Sequence, residues 1–178
     1  MGGSRSGSFV RDLFRTVTDA LRGAQASEHA PAEGAAASAE VTARTVEIDP
    51  RDAPDLLLTY APDPDGDPDA GEIVWTWVPY AENDGRGKDR PVLIIGRQDD
   101  THVYAVKLTS KSHDGDRDFL PLGTGEWDPA GRASWVDVDQ LYSVPVDGVR
   151  REASALDIDR FTVVARALQG RYGWDAGS

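Results

Sequence analysis

Gly71-Glu72-Ile73-Val74-Trp75-Thr76-Trp77-Val78 alternates bulky and smaller side chains, Pro91-Val92-Leu93-Ile94-Ile95-Gly96-Arg97 is an apolar run, and His102-Val103-Tyr104-Ala105-Val106-Lys107-Leu108 alternates again. A period of two over such lengths, bounded by turn residues, predicts three consecutive strands. Further short strands are expected near residues 119–122, 135–138 and 141–144. Residues 157–169 change period: Phe161, Val164, Ala165 and Leu168 recur at helical spacing, with Asp157 or Asp159 at the start and Gly170 after them. The expected fold is mainly β (α+β), a small barrel or strongly coiled sheet closed by a C-terminal helix.

Upstream the texture differs. Phe9, Val10, Leu13, Phe14, Val17 and Leu21 share one helical face, so residues 8–23 read as a short amphipathic helix. Its mixed charges favour docking on a protein surface over a membrane. Residues 24–43 are rich in Ala, Glu and Ser, and residues 62–69 in Asp and Pro; both read as solvated linker within a largely disordered extension. Prolines interrupt the second segment, and no glutamate closes a calcium loop there. Residues 55–60 fit an edge strand or a short helix. The division expected is residues 1–70, helix and acidic linker, and 71–178, the β domain.

Composition narrows the chemistry. With 178 residues and 39% hydrophobic content, one core plus a tail fits better than two cores. The chain has no cysteine and three histidines, so no thiolate metal site or disulfide framework is available. No apolar run approaches the roughly 20 residues that cross a bilayer, which points to a soluble cytoplasmic protein with no membrane contact. The net charge of −12 argues against coating nucleic acid by bulk electrostatics. Location matters more than the sum: residues 1–70 carry 6 Lys and Arg against 13 Asp and Glu, and residues 71–178 carry 13 against 18.

Between the first two strands lies a polar, glycine-bearing segment, residues 80–91, with Arg86, Lys88 and Arg90. Guanidinium groups suit a phosphate because they bond two oxygens at once. The competing reading is a solvated turn in which Arg90 pairs with Asp89 or Glu82. Thr109 and Ser110 end the third strand, and Lys111 and His113 follow. His113 has the chemistry of an acid or base, or of a plain loop histidine. Lys107 and Lys111 extend a cationic track. Trp75, Trp77, Trp127 and Trp135 fit either core packing or base stacking.

Gly71-Glu72-Ile73-Val74-Trp75, the Gly87-Lys88 loop, the Arg90-Pro91-Val92-Leu93-Ile94-Ile95 strand and Lys107-Leu108-Thr109-Ser110 together resemble the PemK/MazF toxins of type II toxin–antitoxin systems. The wording of residues 71–80 and 87–93 looks closest to an actinobacterial branch. The resemblance spans about residues 71–170. It implies an SH3-like barrel, a homodimer, and cleavage of single-stranded RNA by the 2′-hydroxyl without metal or other cofactor. It makes Arg90 and Thr109 the catalytic pair, with Arg86, Lys88, Ser110, Lys111 and His113 binding substrate. A cognate antitoxin protein, and operator DNA through the antitoxin complex, are the implied partners. Tyr142, in Gln140-Leu141-Tyr142-Ser143, stands where many members carry arginine. The alternative is a noncatalytic SH3-like module that binds nucleic acid or an antitoxin.

Overall fold

The computed structural model describes residues 44–63, 65–82 and 84–177. The amphipathic helix expected at residues 8–23 and the linker at 24–43 lie outside them. Among the described residues ten strands and one α-helix follow in order: β1 (Val46–Ile48), β2 (Leu57–Leu58), β3 (Glu72–Pro79), β4 (Gly87–Arg97), β5 (His102–Thr109), β6 (Phe119–Gly123), β7 (Ser134–Asp137), β8 (Leu141–Pro145), β9 (Arg150–Ala155), α1 (Ile158–Tyr172) and β10 (Asp175–Ala176). The main sheet runs β1-β8-β5-β4-β3-β9, and the β6–β7 hairpin attaches to β5 through β7. This is the mostly antiparallel, helix-closed architecture the period change predicts.

The two alternating runs and the apolar run between them supply the central strands because both of their faces are covered. Ile73, Leu93, Ile95, Val106 and Leu108 pack with Phe161, Val164 and Leu168 of the helix. Val74, Val92, Ile94, Ala105 and Tyr142 fill the second cluster. Burying each large apolar side chain contributes on the order of 1.5–3 kcal/mol. The helix starts on Asp157, whose carboxylate accepts the Arg160 amide at 3.0 Å, and ends on Gly173 at φ 77°. None of the described helices is long and apolar enough to cross a membrane.

The sheet begins earlier than residue 71. Val46, Glu47 and Ile48 pair with Ser143, Tyr142 and Leu141, while β2 pairs in parallel with β10. Residues 55–60 therefore take the strand alternative. Ala53, Leu56 and Leu58 are buried in the helix-side core, which explains why a short segment of weak period joins the sheet. A Cβ on Gly96 would sit 2.4 Å from the Leu57 carbonyl oxygen, so glycine there lets the segment cross over β4. The ladder between β4 and β5 slips between Ile94 and Gly96, and such a bulge increases strand coiling.

Candidate functional site

The β3–β4 ladder continues to Pro79 opposite Gly87, so the loop between them is shorter than the sequence implied. Lys88, Asp89 and Arg90 are strand residues, opposite Val78, Trp77 and Thr76. A Cβ on Gly87 would lie 2.4 Å from the Val78 carbonyl oxygen, and only glycine permits the ladder to start there. Arg90 thus rides on rigid backbone rather than on a mobile turn. Along β5, Lys107 opposes Val92 at the end of the β4–β5 ladder, and Arg90 and Thr109, two residues along each strand from that pair, share its side of the sheet. Opposed residues of an antiparallel pair project on the same side.

Lys88, Arg90, Lys107, Thr109, Ser110, Lys111 and His113 all line one cleft of about 540 Å³, with Trp75, Phe119, Asp128 and Arg132 on its other walls. Arg86 does not. It is exposed and ion-paired with Asp84 at 2.7 Å, an interaction that also draws the Asp84 carboxyl below its ordinary value. Local pairing two residues away has removed it from the cluster.

The cleft's charge is positive after pairing. Asp89 is bound by Arg150, Asp128 by Arg132 at 2.8 Å, and Lys107 by Asp137 at 3.3 Å. Hydrogen bonding from Arg132, ahead of other influences, holds the Asp128 carboxyl below its usual range. Lys88, Arg90 and Lys111 line the cleft without an ion-pair partner among the described residues. A fixed cation without a counter-ion is a site for an anion from outside the chain.

The hydroxyl and the imidazole are placed by their own contacts. Thr109 Oγ1 accepts the Lys111 amide at 3.2 Å, which leaves its proton free to donate into the cleft. His113 stacks on Phe119 with ring centroids 3.6 Å apart, and its Nδ1 lies 3.5 Å from Asp116 Oδ2. Trp75 donates Nε1–H to the Trp127 carbonyl at 3.1 Å. Trp127 is itself buried core, and Trp75 alone of the five tryptophans lines the cleft.

Tyr142 is 1% exposed, with its ring centroid 5.9 Å from Lys107 Nζ. Burial pushes its phenol well above the ordinary tyrosine value, and the hydroxyl donates to Gln140 Oε1 at 3.1 Å. The sequence offers residues 123–128 as a loop beside the site without a role, and Asp128 lines the cleft, whereas Arg132 and Phe119 were not legible as site residues. Asp128 and Arg132 belong to a turn whose return to β5 depends on the β6–β7 hairpin, and no local spacing encodes that. The described residues contain no group of three or more His, Cys, Asp or Glu that could hold a metal ion.

A family model for the PemK-like, MazF-like toxin of type II toxin–antitoxin systems matches residues 69–170. Among solved structures, the chain is similar to MazF (Form-I) from Deinococcus radiodurans, with 24% identity, 61% of this chain and 99% of that one covered, and a TM-score of 0.45. It is also similar to MazE–MazF (Form-II) from the same organism, at 22% identity, 60% and 96% coverage, and a TM-score of 0.43. The Mycobacterium tuberculosis toxin MazF-mt6 follows at 20% identity, 57% and 98% coverage, and a TM-score of 0.41. No curated protein matches the chain.

Proposed function

The chain belongs to the PemK-like, MazF-like toxin family of type II toxin–antitoxin systems, whose members are known as toxin endoribonucleases, and from that premise we propose that it cleaves single-stranded RNA in this cleft. One observation carries the reading: Arg90, held by the ladder, enters the cleft beside Thr109 with no ion-pair partner among the described residues. RNA carries its own nucleophile next to each phosphate. The 2′-oxygen attacks phosphorus as its proton leaves, the O2′–P bond forms, and the P–O5′ bond breaks. The departing 5′-oxygen takes a proton, leaving a cyclic phosphate and a free 5′-hydroxyl.

Negative charge grows on the nonbridging oxygens as the phosphorane forms, and Arg90 stabilises it with two parallel N–H donors. Thr109, its hydroxyl proton uncommitted, donates toward the departing oxygen. Lys88 and Lys111 hold flanking phosphates, and Ser110 and His113 line the path of the strand. His113 is the imidazole available in the cleft for the 2′-hydroxyl proton. Family placement also carries the partners: a cognate antitoxin, a second copy of this chain, and operator DNA through the antitoxin complex.

Purified full-length chain should cleave single-stranded RNA in EDTA, and Arg90→Ala should slow this by about 100- to 1,000-fold, the cost of losing one preorganised donor set. Circular dichroism should show the variant folded. Undiminished cleavage by Arg90→Ala would falsify the assignment. Tyr142, buried where many relatives place arginine, favours a second reading in which the cleft binds RNA without cutting it. Wild-type protein that retains an RNA strand and never cuts it would establish that reading instead.

A further inference from the structure

Lys107 is a cleft cation that the mechanism above leaves unused. It lies two residues before Thr109 on β5, so both side chains project on the same side as Arg90, and it lines the same cleft. Its side chain is only 22% exposed, and three groups hold it. Gln140 Oε1 accepts from Nζ, Asp137 Oδ2 lies 3.3 Å from it, and the Tyr142 ring sits 5.9 Å below it. Gln140 is fixed in turn, accepting the Tyr142 hydroxyl and donating to Glu47 Oε1 of β1 at 3.1 Å.

An ammonium group has three N–H donors. Asp137 and Gln140 take two, and the third is left for the cleft. Surface lysines lose much rotamer freedom when they bind; this one has already been ordered by the sheet. Asp137, itself 4% exposed, offsets the charge of Lys107, so its contribution is a directed hydrogen bond in a partly dry site rather than long-range attraction.

We propose that Lys107 is a further catalytic residue, donating its remaining N–H to a nonbridging oxygen of the scissile phosphate beside Arg90. The inference rests on the ribonuclease reading. Lys107 transfers no proton: the same O2′–P bond forms and the same P–O5′ bond breaks, and the ammonium shares with Arg90 the charge that the phosphorane accumulates. Gln140, Asp137 and Tyr142 are positioning residues for it.

The test uses the full-length chain and a single-stranded RNA whose cut site has been mapped with wild-type protein. Lys107→Met alone would strand Asp137 as a buried unpaired carboxylate, so the variant to make is Lys107→Met with Asp137→Asn. Asn keeps an acceptor for the Asp139 amide, which Asp137 Oδ1 binds at 3.0 Å. Thermal unfolding confirms that the double variant is folded. Its single-turnover cleavage should be about 100-fold slower than wild type, while affinity for the same strand carrying one 2′-deoxy nucleotide at the cut site changes by less than about 10-fold. A cleavage rate close to wild type, with Arg90→Ala inactive, overturns the role of Lys107 and leaves the ribonuclease reading standing. Affinity falling in step with rate also overturns it, since Lys107 would then bind both states equally. A wild-type chain that cuts no strand overturns both readings together.

Discussion

Arg90 gains its value from geometry more than from charge. Lys88 and Lys111 line the same cleft as cations without described ion-pair partners, yet each ends in an ammonium and not a guanidinium. A guanidinium presents a planar fork that matches two phosphate oxygens, whereas an ammonium is a point charge on a flexible stem. Arg90→Lys should therefore resemble the alanine variant, with single-turnover RNA cleavage slowed by about 100-fold although the net charge is unchanged. Cleavage by Arg90→Lys at the wild-type rate would mean that charge alone suffices, and the bidentate role would be lost. Arg86 illustrates the same point in reverse, since its pairing with Asp84 leaves a cation of the right type outside the cleft.

At the scale of elements, β3 carries a cost at its first residue. Glu72 is 5% exposed and accepts only the Asp69 amide, at 3.2 Å, among the described hydrogen bonds. Burial first, and then the carboxylates of Asp69, Asp65 and Asp63, raises its carboxyl above the ordinary 4.5. A group whose folded pKa is raised holds its proton more tightly when folded. Its ionised form costs stability above that value, and the cost vanishes once pH falls below about 4.5, where both states are protonated. Glu72→Gln keeps an acceptor for the Asp69 amide and removes the charge. Its melting temperature should exceed wild type near pH 7, and the two curves should converge below pH 4.5. A constant difference across that range would assign the effect to packing. The elements themselves were legible to different degrees. The central strands and the helix announced themselves because each buries a face long enough to set a period. β9 did not: Arg150-Arg151-Glu152-Ala153-Ser154-Ala155 has no apolar alternation, and it is a strand because β3 offers it a free edge. The polar start of β4 looked like loop for a related reason. Lys88 and Arg90 face the cleft instead of a core, so hydrogen bonding and not burial makes them strand.

For the whole molecule, the sequence break near residue 70 and the packing break differ. Residues 71–178 hold the alternating runs and the cleft, but Leu56 and Leu58 are 4% and 1% exposed and fill the helix-side core from outside that span. Tyr60 continues the contact, with its ring 5.1 Å from that of Phe161 and its hydroxyl donating to the Leu156 carbonyl at 2.8 Å. The Gly177 amide donates to the Leu58 carbonyl at 2.7 Å, so the C-terminal turn that buries Trp174 is anchored on the same segment. Removing two buried leucines alone costs about 3–6 kcal/mol, against a total stability on the order of 5–15 kcal/mol for a domain of this size. A chain of residues 44–178 keeps all these contacts, and one of residues 71–178 loses them. The first should unfold cooperatively at close to the full-length melting temperature. The second should melt more than about 10 °C lower or fail to fold, with faster proteolysis around α1. Equal melting temperatures for the two would show that residues 45–60 lie on the barrel without stabilising it. The comparison also governs how the cleft is assayed. RNA cleavage lost in residues 71–178 and retained in 44–178 reports on folding, whereas loss in Arg90→Ala at an unchanged melting temperature reports on chemistry.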